Sequence, residues 1–292
     1  MQKSVALVLS SGGSRGLTQI GVINKLEEHG FKITSLAGSS IGSLIGGLYA
    51  MGKLTEYAEW LISINKRDVW GFMDFTFSTH GLLKGEKVFD KMKNFIPDMK
   101  IEDMAIPFAA VATDILNEKE VVFTQGSYYE AVRASIAIPA VFLPVEQKNS
   151  ILIDGGVLHP VPTQFVVRNP GDLLVVVNLY GDKIEKKPAD EKTDKPGYLS
   201  SMFDAFSKLI PTADKESMGY FSLLSATSSA MLQRIVQLSI EKAKPDIVIN
   251  IPVDCANTFD FYKASQLIDL GAAQAEKAIQ NYFESNVANK KA

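Results

Sequence analysis

The sequence predicts an α/β protein with a mostly parallel central sheet flanked by helices. Short apolar runs rich in β-branched residues alternate along the chain with segments whose apolar residues recur at helical spacing. With 292 residues, 46% of them hydrophobic, the chain is long enough to bury the large core that such a sheet requires. We therefore expect a single domain over residues 1–292, with a core formed by about 4–180 and 246–280 and a loop and helical insertion near 181–240.

The predicted elements follow one another in strand and helix order. A compact apolar run predicts the first strand at residues 5–9, and a second strand at 33–37 leads into a helix. Amphipathic patterns predict helices over 54–65 and 82–96, and a further helix over 128–135 ends before Pro139. The remaining apolar runs predict buried strands at 106–112, 121–123, 151–153 and 173–179.

The insertion begins where the composition changes, after Gly181. Residues 182–196 hold five acidic residues, five lysines and two prolines, which predicts a solvated loop. Beyond it, apolar residues fall on one helical face within 202–210, and residues 223–240 predict a longer amphipathic helix. These helices would form a lid or an interfacial segment that touches a membrane, or they pack on the sheet, which is the more common origin of such a stripe.

The first motif that suggests chemistry is Gly38-Ser39-Ser40-Ile41-Gly42. A serine that attacks a carbonyl projects from a sharp turn between a strand and a helix, where side chains two residues before and after it would collide. This spacing is typical of such a nucleophile elbow. A Ser/Gly-rich turn without chemistry would have the same pattern, so a second element is needed.

That element is the Gly-rich loop at residues 10–16, Ser-Ser-Gly-Gly-Ser-Arg-Gly, directly after the first predicted strand. Unpaired backbone N–H groups of a loop that opens a helix bind negative charge. A P-loop would need Gly-Lys-Ser/Thr after a longer spacer, and a dinucleotide fingerprint would need glycine where Ser11 stands. An oxyanion hole formed by Gly12, Gly13 and Ser14 agrees best with a nucleophilic serine nearby. Arg15 would reinforce the positive potential or be an ordinary surface arginine.

The third element is Asp154-Gly155-Gly156, which follows an apolar run. Such a strand delivers an aspartate to a turn whose glycines allow close backbone contact, although an Asp-Gly turn after a strand is common in proteins without any such role.

Together the three elements resemble the patatin-like phospholipase family in content and order, and residues 134–145 and 260–264 are similar to it as well. The resemblance implies a three-layer patatin-like fold and hydrolysis of lipid acyl esters by a Ser-Asp dyad. In this sequence Ser40 would be the nucleophile and Asp154 the general base. The other motif positions are Arg15, Gly16, Gly38, Gly42, Gly155 and Gly156. One departure is Ser11, where the family usually has a third glycine.

The histidines agree with a dyad. A hydrolase triad needs a histidine that follows the acid in chain order. His29 lies in a polar segment at a predicted helix end, and His80 precedes Asp154. His159 follows Asp154 by five residues, so a very short loop would have to return it to Ser40. We expect His159 to shape the site or to bind backbone.

Composition limits the partners. The net charge of −3 and the pI near 5.7 argue against nucleic acid as a partner. The three scattered histidines and one cysteine do not have the spacing of metal ligands, so we expect no metal and no cofactor. The single Cys255 excludes an intrachain disulfide. We expect a cytoplasmic protein that acts on a lipid or acyl-ester substrate with transient contact at the membrane surface. The alternatives are a lipid- or anion-binding module without catalysis and a nucleotide-dependent acyltransferase or ligase.

Overall fold

The central feature of the fold is an eight-stranded sheet, seen in a computed structural model that describes residues 3–76, 81–184 and 220–289. The strands are β1 (Lys3–Leu9), β2 (Phe31–Ser39), β3 (Gly81–Leu83), β4 (Phe108–Asp114), β5 (Lys119–Phe123), β6 (Ala140–Phe142), β7 (Val145–Gln147), β8 (Ser150–Asp154), β9 (Leu173–Gly181) and β10 (Ile247–Pro252). Their order in the sheet is β10-β9-β1-β2-β4-β8-β7, and β5 also pairs with β4. Strands β3 and β6 form a separate pair.

The first five strands of that order are parallel, whereas β5, β7 and β8 join antiparallel to their neighbours. The helices are α1 (Thr18–Glu28), α2 (Ile41–Ala50), α3 (Leu54–Ser63), α4 (Lys66–Gly71), α5 (Glu86–Lys93), α6 (Tyr128–Ser135), α7 (Tyr220–Ala243) and α8 (Ala264–Asn289).

Strand β1 shows how the sheet is covered on both faces. Its side chains alternate between two apolar clusters, as the two-residue period of a strand requires. Leu7 and Leu9 belong to the larger cluster with residues of α1, α2 and α8, and Val8 belongs to a smaller cluster with Val236 of α7. The predicted fold class, a mostly parallel sheet between helices, is therefore confirmed.

Helices α1 and α8 pack closely on one face of the sheet because each has a glycine at the crossing. A Cβ on Gly21 would stand 1.9 Å from the carbonyl oxygen of Ile268, and one on Gly271 would stand 1.9 Å from that of Thr18. Any side chain at either position would push the two helices apart.

The predicted helix over 82–96 is shorter than expected. Its first residues form β3 instead, and α5 begins at Glu86. The carboxylate of Asp74 fixes this start because it accepts hydrogen bonds from the backbone N–H groups of Gly85, Glu86 and Lys87.

The predicted helix at 223–240 is present as α7, and only its second half packs on the sheet. Val236, Ile240 and Ala243 contribute to the smaller cluster, whereas Leu223, Leu224 and Met231 are each more than half exposed. The charged loop and the predicted helix at 202–210 lie outside the described residues.

Candidate active site

Ser40 stands in a strained turn between β2 and α2. Its φ of 54° and ψ of −125° place a non-glycine residue in a region that L-residues rarely adopt. The flanking glycines are required by contact, since a Cβ on Gly38 would stand 2.2 Å from the carbonyl oxygen of Gly42. One on Gly42 would stand 2.2 Å from that of Leu9. The turn therefore has the geometry of a nucleophile elbow.

Strand register brings Asp154 to Ser40. In β4, Val111 is paired with Ser39 of β2, and the next residue, Ala112, is paired with Asp154 of the antiparallel strand β8. The Ser40 hydroxyl donates to Asp154 Oδ2 at 2.5 Å, and the other carboxylate oxygen, Oδ1, accepts from the Gly156 N–H at 2.7 Å. Both side chains are buried, with 3% of Ser40 and 5% of Asp154 exposed.

Burial makes Asp154 a stronger base than an ordinary carboxylate. Loss of water around the carboxylate raises its pKa from 3.8 to about 6, and the hydrogen bonds from Ser40 and Gly156 offset part of that rise. An aspartate with this pKa is ionised at neutral pH and still accepts a proton more readily than a solvated one.

The raised pKa of Asp154 predicts that its contribution to the free energy of unfolding falls as the pH rises. Because the folded protein holds the proton more tightly than the unfolded chain, this residue's contribution to stability is complete below about pH 4. It is lost as the pH rises through about 6. Each tenfold difference in proton affinity corresponds to about 1.4 kcal/mol, so the loss is about 3 kcal/mol. Urea unfolding should therefore show Asp154→Asn gaining stability over the parent protein between pH 4 and pH 7.

Asp114→Asn provides a control of opposite sign for this measurement. Burial tends to raise the pKa of Asp114, yet hydrogen bonds from Asn117 and from the backbone of Leu116 and Ile151 bring it below its ordinary value. Removal of that carboxylate should cost more stability as the pH rises. The raised pKa of Asp154 is contradicted if the stability change of Asp154→Asn has the same pH trend as that of Asp114→Asn, or has no pH trend.

The Gly-rich loop lies against the elbow. A Cβ on Gly16 would stand 2.3 Å from the Ile41 side chain, so these two segments are in direct contact. Gly13 has a φ of +60°, and within the described part of the chain no group accepts from the N–H of Gly12 or Gly13. The Ser14 N–H, by contrast, donates to the Thr258 carbonyl at 3.0 Å. This corrects the expectation for Ser14, whose N–H is already engaged, and leaves Gly12 and Gly13 as the free donors.

Arg15 is not an ordinary surface arginine. Its Nε donates to the Gly12 carbonyl at 3.0 Å, and its Nη1 donates to the carbonyls of Leu179 at 3.0 Å and Val253 at 2.9 Å. Burial lowers the pKa of the guanidinium, which is still protonated at neutral pH. Arg15 therefore ties the Gly-rich loop to the ends of β9 and β10 and adds a positive charge behind it.

Two hydrogen bonds at the site were not predicted from the sequence motifs. The Ser40 N–H donates to the Ser135 hydroxyl at 2.9 Å, and that hydroxyl donates to the Val111 carbonyl at 2.6 Å. Ser135 lies in the stretch 134–145 that contributes to the family resemblance, so a signal existed. The second is the hydrogen bond from the Ser14 hydroxyl to the Asn257 carbonyl at 2.6 Å, for which the sequence holds no signal.

Ser40 faces an apolar cavity of about 140 Å³. Its walls come from α2, α3, α5 and the loops around them, and they carry large apolar side chains, among them Leu44, Trp60, Phe72, Met92 and Phe261. Among the described residues of this wall the charged one is Asp74, whose carboxylate is occupied by the start of α5. The cavity is therefore suited to a hydrocarbon chain.

A family model described as patatin-like phospholipase matches residues 7–167, more than half of the chain and a range that includes the Gly-rich loop, Ser40 and Asp154. The chain belongs to the patatin-like phospholipase family.

Several named proteins are similar to this family member. An uncharacterized NTE family protein of Mycobacterium tuberculosis is 30% identical over 330 residues, covering 95% of this chain and 92% of that protein. Human patatin-like phospholipase domain-containing protein 6 is 28% identical over 98% of this chain and 21% of its own length. Lysophospholipase NTE1 of Kluyveromyces lactis is 26% identical over 97% of this chain and 20% of its own length. The solved structure of VipD from Legionella pneumophila has a TM-score of 0.46 at 12% identity, covering 96% of this chain and 67% of that one.

The described histidines of this patatin-like protein bond elsewhere. His159 faces Glu120 at 3.5 Å and packs edge-on against Phe165, and His29 is bonded to Glu276 at 2.8 Å. Neither is hydrogen-bonded to Ser40 or Asp154, and His80 lies outside the described residues.

The described segments contain no helix that is both long and apolar enough to cross a membrane. They also contain no group of three or more His, Cys, Asp or Glu side chains placed to hold a metal ion.

Proposed function

We propose that this protein is a serine acyl-ester hydrolase that releases fatty acid from lipids. Ser40 is the nucleophile and Asp154 the general base. The observation that carries the proposal is the buried hydrogen bond from the Ser40 hydroxyl to Asp154 Oδ2, next to two free backbone donors and an apolar cavity. The family name and the lysophospholipase named among the relatives point to the same chemistry.

The reaction proceeds in two acyl-transfer steps. Asp154 takes the proton as Ser40 Oγ attacks the ester carbonyl, and the N–H groups of Gly12 and Gly13 stabilise the negative charge on the carbonyl oxygen. The carbon–oxygen bond to the alcohol part then breaks, and Asp154 returns the proton to the leaving oxygen. A water molecule, deprotonated by Asp154, then attacks the acyl-serine ester. The bond between the acyl carbon and Ser40 Oγ breaks, Asp154 returns the proton to Oγ, and the fatty acid is released. These steps need neither a metal nor an organic cofactor.

The cavity suggests how the substrate lies. An acyl chain would enter the apolar space beside Ser40, where burial contributes about 0.8 kcal/mol per methylene group. The head group would remain outside, because the described residues of the cavity wall offer no free charged group for it. Phospholipids, lysophospholipids and simple carboxylic esters all satisfy this arrangement. Mass spectrometry of the products from a mixed lipid extract would identify the substrate, provided that those products are absent with Ser40→Ala.

We further propose that the protein is cytoplasmic and contacts membranes transiently through the exposed half of α7. Leu223, Leu224 and Met231 expose apolar surface there without packing partners in the smaller cluster. Replacement of all three by serine should reduce binding to phosphatidylcholine liposomes about tenfold or more, from the apolar area removed. Flotation would measure the bound fraction.

The matched control for flotation replaces three exposed polar residues of the same helix, Thr227, Gln233 and Gln237, by serine. Equal binding by the apolar and polar triple variants would refute the role of α7.

A further inference from the structure

The mechanism leaves unexplained a pair of hydroxyl groups behind Asp154. The Ser11 hydroxyl and the Tyr180 hydroxyl are hydrogen-bonded at 2.7 Å, and they come from the Gly-rich loop and from β9, 169 residues apart in the chain. Ser11 is 4% exposed. This is the serine that stands where the family usually has glycine, so the pair exists because of a departure from the family pattern.

The Ser11 hydroxyl lies next to the carboxylate. A Cβ on Gly156 would stand 2.7 Å from Ser11 Oγ and 2.9 Å from Asp154 Oδ1, so both oxygens border the same small space. Only glycine at position 156 leaves that space to them. Ser11 is fixed there because its N–H donates to the Pro160 carbonyl at 2.9 Å.

Arg15 places a positive charge over the ring of Tyr180. Its guanidinium carbon is 5.4 Å from the centre of that ring. A hydroxyl group near a buried carboxylate is polarised, with its hydrogen directed toward the negative charge. The favoured orientation therefore has the Tyr180 O–H donating to Ser11 Oγ and the Ser11 O–H directed toward Asp154.

On the basis of the proposed function, we propose that Ser11 and Tyr180 are positioning residues, a hydroxyl relay that holds Asp154 ionised and oriented for Ser40. Asp154 Oδ1 accepts from the Gly156 N–H, and Oδ2 accepts from Ser40. The relay adds a dipole near Oδ1, across the small space that Gly156 leaves open. In a triad the histidine lies between serine and aspartate; here Asp154 contacts Ser40 directly, so its own surroundings determine its basicity.

Electrostatic coupling between these groups supports the relay. The charge of Asp154 contributes to raising the pKa of Tyr180, after the larger effect of burial, whereas Ser11 and Arg15 act in the opposite direction. Among the titratable groups, Tyr180 on β9 interacts with the charge of Asp154. Arg15 in the loop interacts with Tyr180 and Cys255, and His159 is paired with Glu120.

Removal of either hydroxyl should shift the pH dependence of the reaction. Without these dipoles, the ionised form of Asp154 loses stabilisation, so its pKa rises. The acidic limb of the kcat/KM profile for a short p-nitrophenyl ester should then move to higher pH in Tyr180→Phe and in Ser11→Gly. At pH 6 the loss should be roughly fivefold, the size of one hydrogen bond, and near pH 8 it should largely disappear.

The two changes should also be non-additive. If the hydroxyl groups act as one relay, the double variant shifts the limb no further than the larger single change. Tyr129→Phe is the matched control, because it removes a buried tyrosine hydroxyl that donates to the Ile96 carbonyl, far from Asp154. That variant should leave the limb in place.

Carbon NMR titration of the Asp154 carboxyl in the Ser40→Ala background measures the same shift without activity. The relay would be overturned if neither single variant moved the acidic limb of the kcat/KM profile or the pKa of the Asp154 carboxyl. It would also be overturned if the shift in the double variant equalled the sum of the two single shifts. If Tyr180→Phe does not fold, Ser11→Gly alone decides. Activity that survives Ser40→Ala would instead overturn the proposed function, so the two failures are distinguishable.

Discussion

Ser40→Ala is expected to abolish ester hydrolysis and covalent labelling by a fluorophosphonate probe. The hydroxyl is the only part of the residue that bonds to Asp154, and alanine offers no atom that can attack a carbonyl. Loss of a serine nucleophile lowers kcat by on the order of 10⁵ or more in enzymes where it acts together with its base. Hydrolysis of a short p-nitrophenyl ester and gel detection of the labelled protein would both measure the loss.

Ser35→Ala is the control for this substitution. Ser35 is also buried and lies on β2, the strand that leads into the Ser40 turn, and its hydroxyl donates to the Val167 carbonyl rather than to a group of the site. That variant should label like the parent protein. Hydrolysis by Ser40→Ala at the parental rate would disprove the assignment of the nucleophile. A parent protein that never labels would instead favour the binding-module alternative.

Asp154→Asn is expected to leave the fold intact and to lower kcat by on the order of 10⁴. The amide has the shape of the carboxylate but cannot accept the Ser40 proton, and loss of the acid in other hydrolases has an effect of this size. The amide also removes a buried charge, so the reduced activity should accompany unchanged or increased stability at neutral pH. Steady-state kinetics and the rate of fluorophosphonate labelling would both show the slower nucleophile.

The corresponding acid-to-amide substitution at Glu120 distinguishes the loss of the base Asp154 from the loss of the carboxylate that faces His159. Glu120→Gln removes the carboxylate that faces His159 and leaves Asp154 untouched. If His159 took part in a relay, this variant would lose activity as Asp154→Asn does. We expect it to retain activity, and a loss comparable with that of Asp154→Asn would contradict the dyad.

Local patterns predicted most of the fold and the elements that carry the candidate site. Apolar runs located the buried strands, and the glycines around Ser40 were interpretable because a sharp turn excludes side chains at fixed offsets. Glycine at position 42, for instance, lies against the Leu9 carbonyl, where a Cβ would stand 2.2 Å from the oxygen. Local patterns were less reliable at residues 81–83, where pairing of β3 with β6 overrides the helical spacing.

Contacts between distant polar residues could not be predicted. The bonds of Ser14 to Asn257 and of Ser11 to Tyr180 depend on which loops the finished fold brings together, and serine is equally common in turns with no such partner. The expectation for Ser14 failed for this reason, because its N–H meets a carbonyl contributed by a segment near the other end of the chain.

The bonds that Arg15 makes to Leu179 and Val253 have a consequence for how this protein can be divided. The family match ends at residue 167, and every group proposed to touch the substrate's ester lies before that point. Four acceptors that hold the Gly-rich loop lie after it, at residues 179, 253, 257 and 258. A fragment cut at the family boundary would hold the reactive residues but not the scaffold that orients them. The unit needed for the proposed reaction is therefore longer than the motif-bearing region, and substitutions in the last third of the chain should be judged for their effect on the Gly-rich loop.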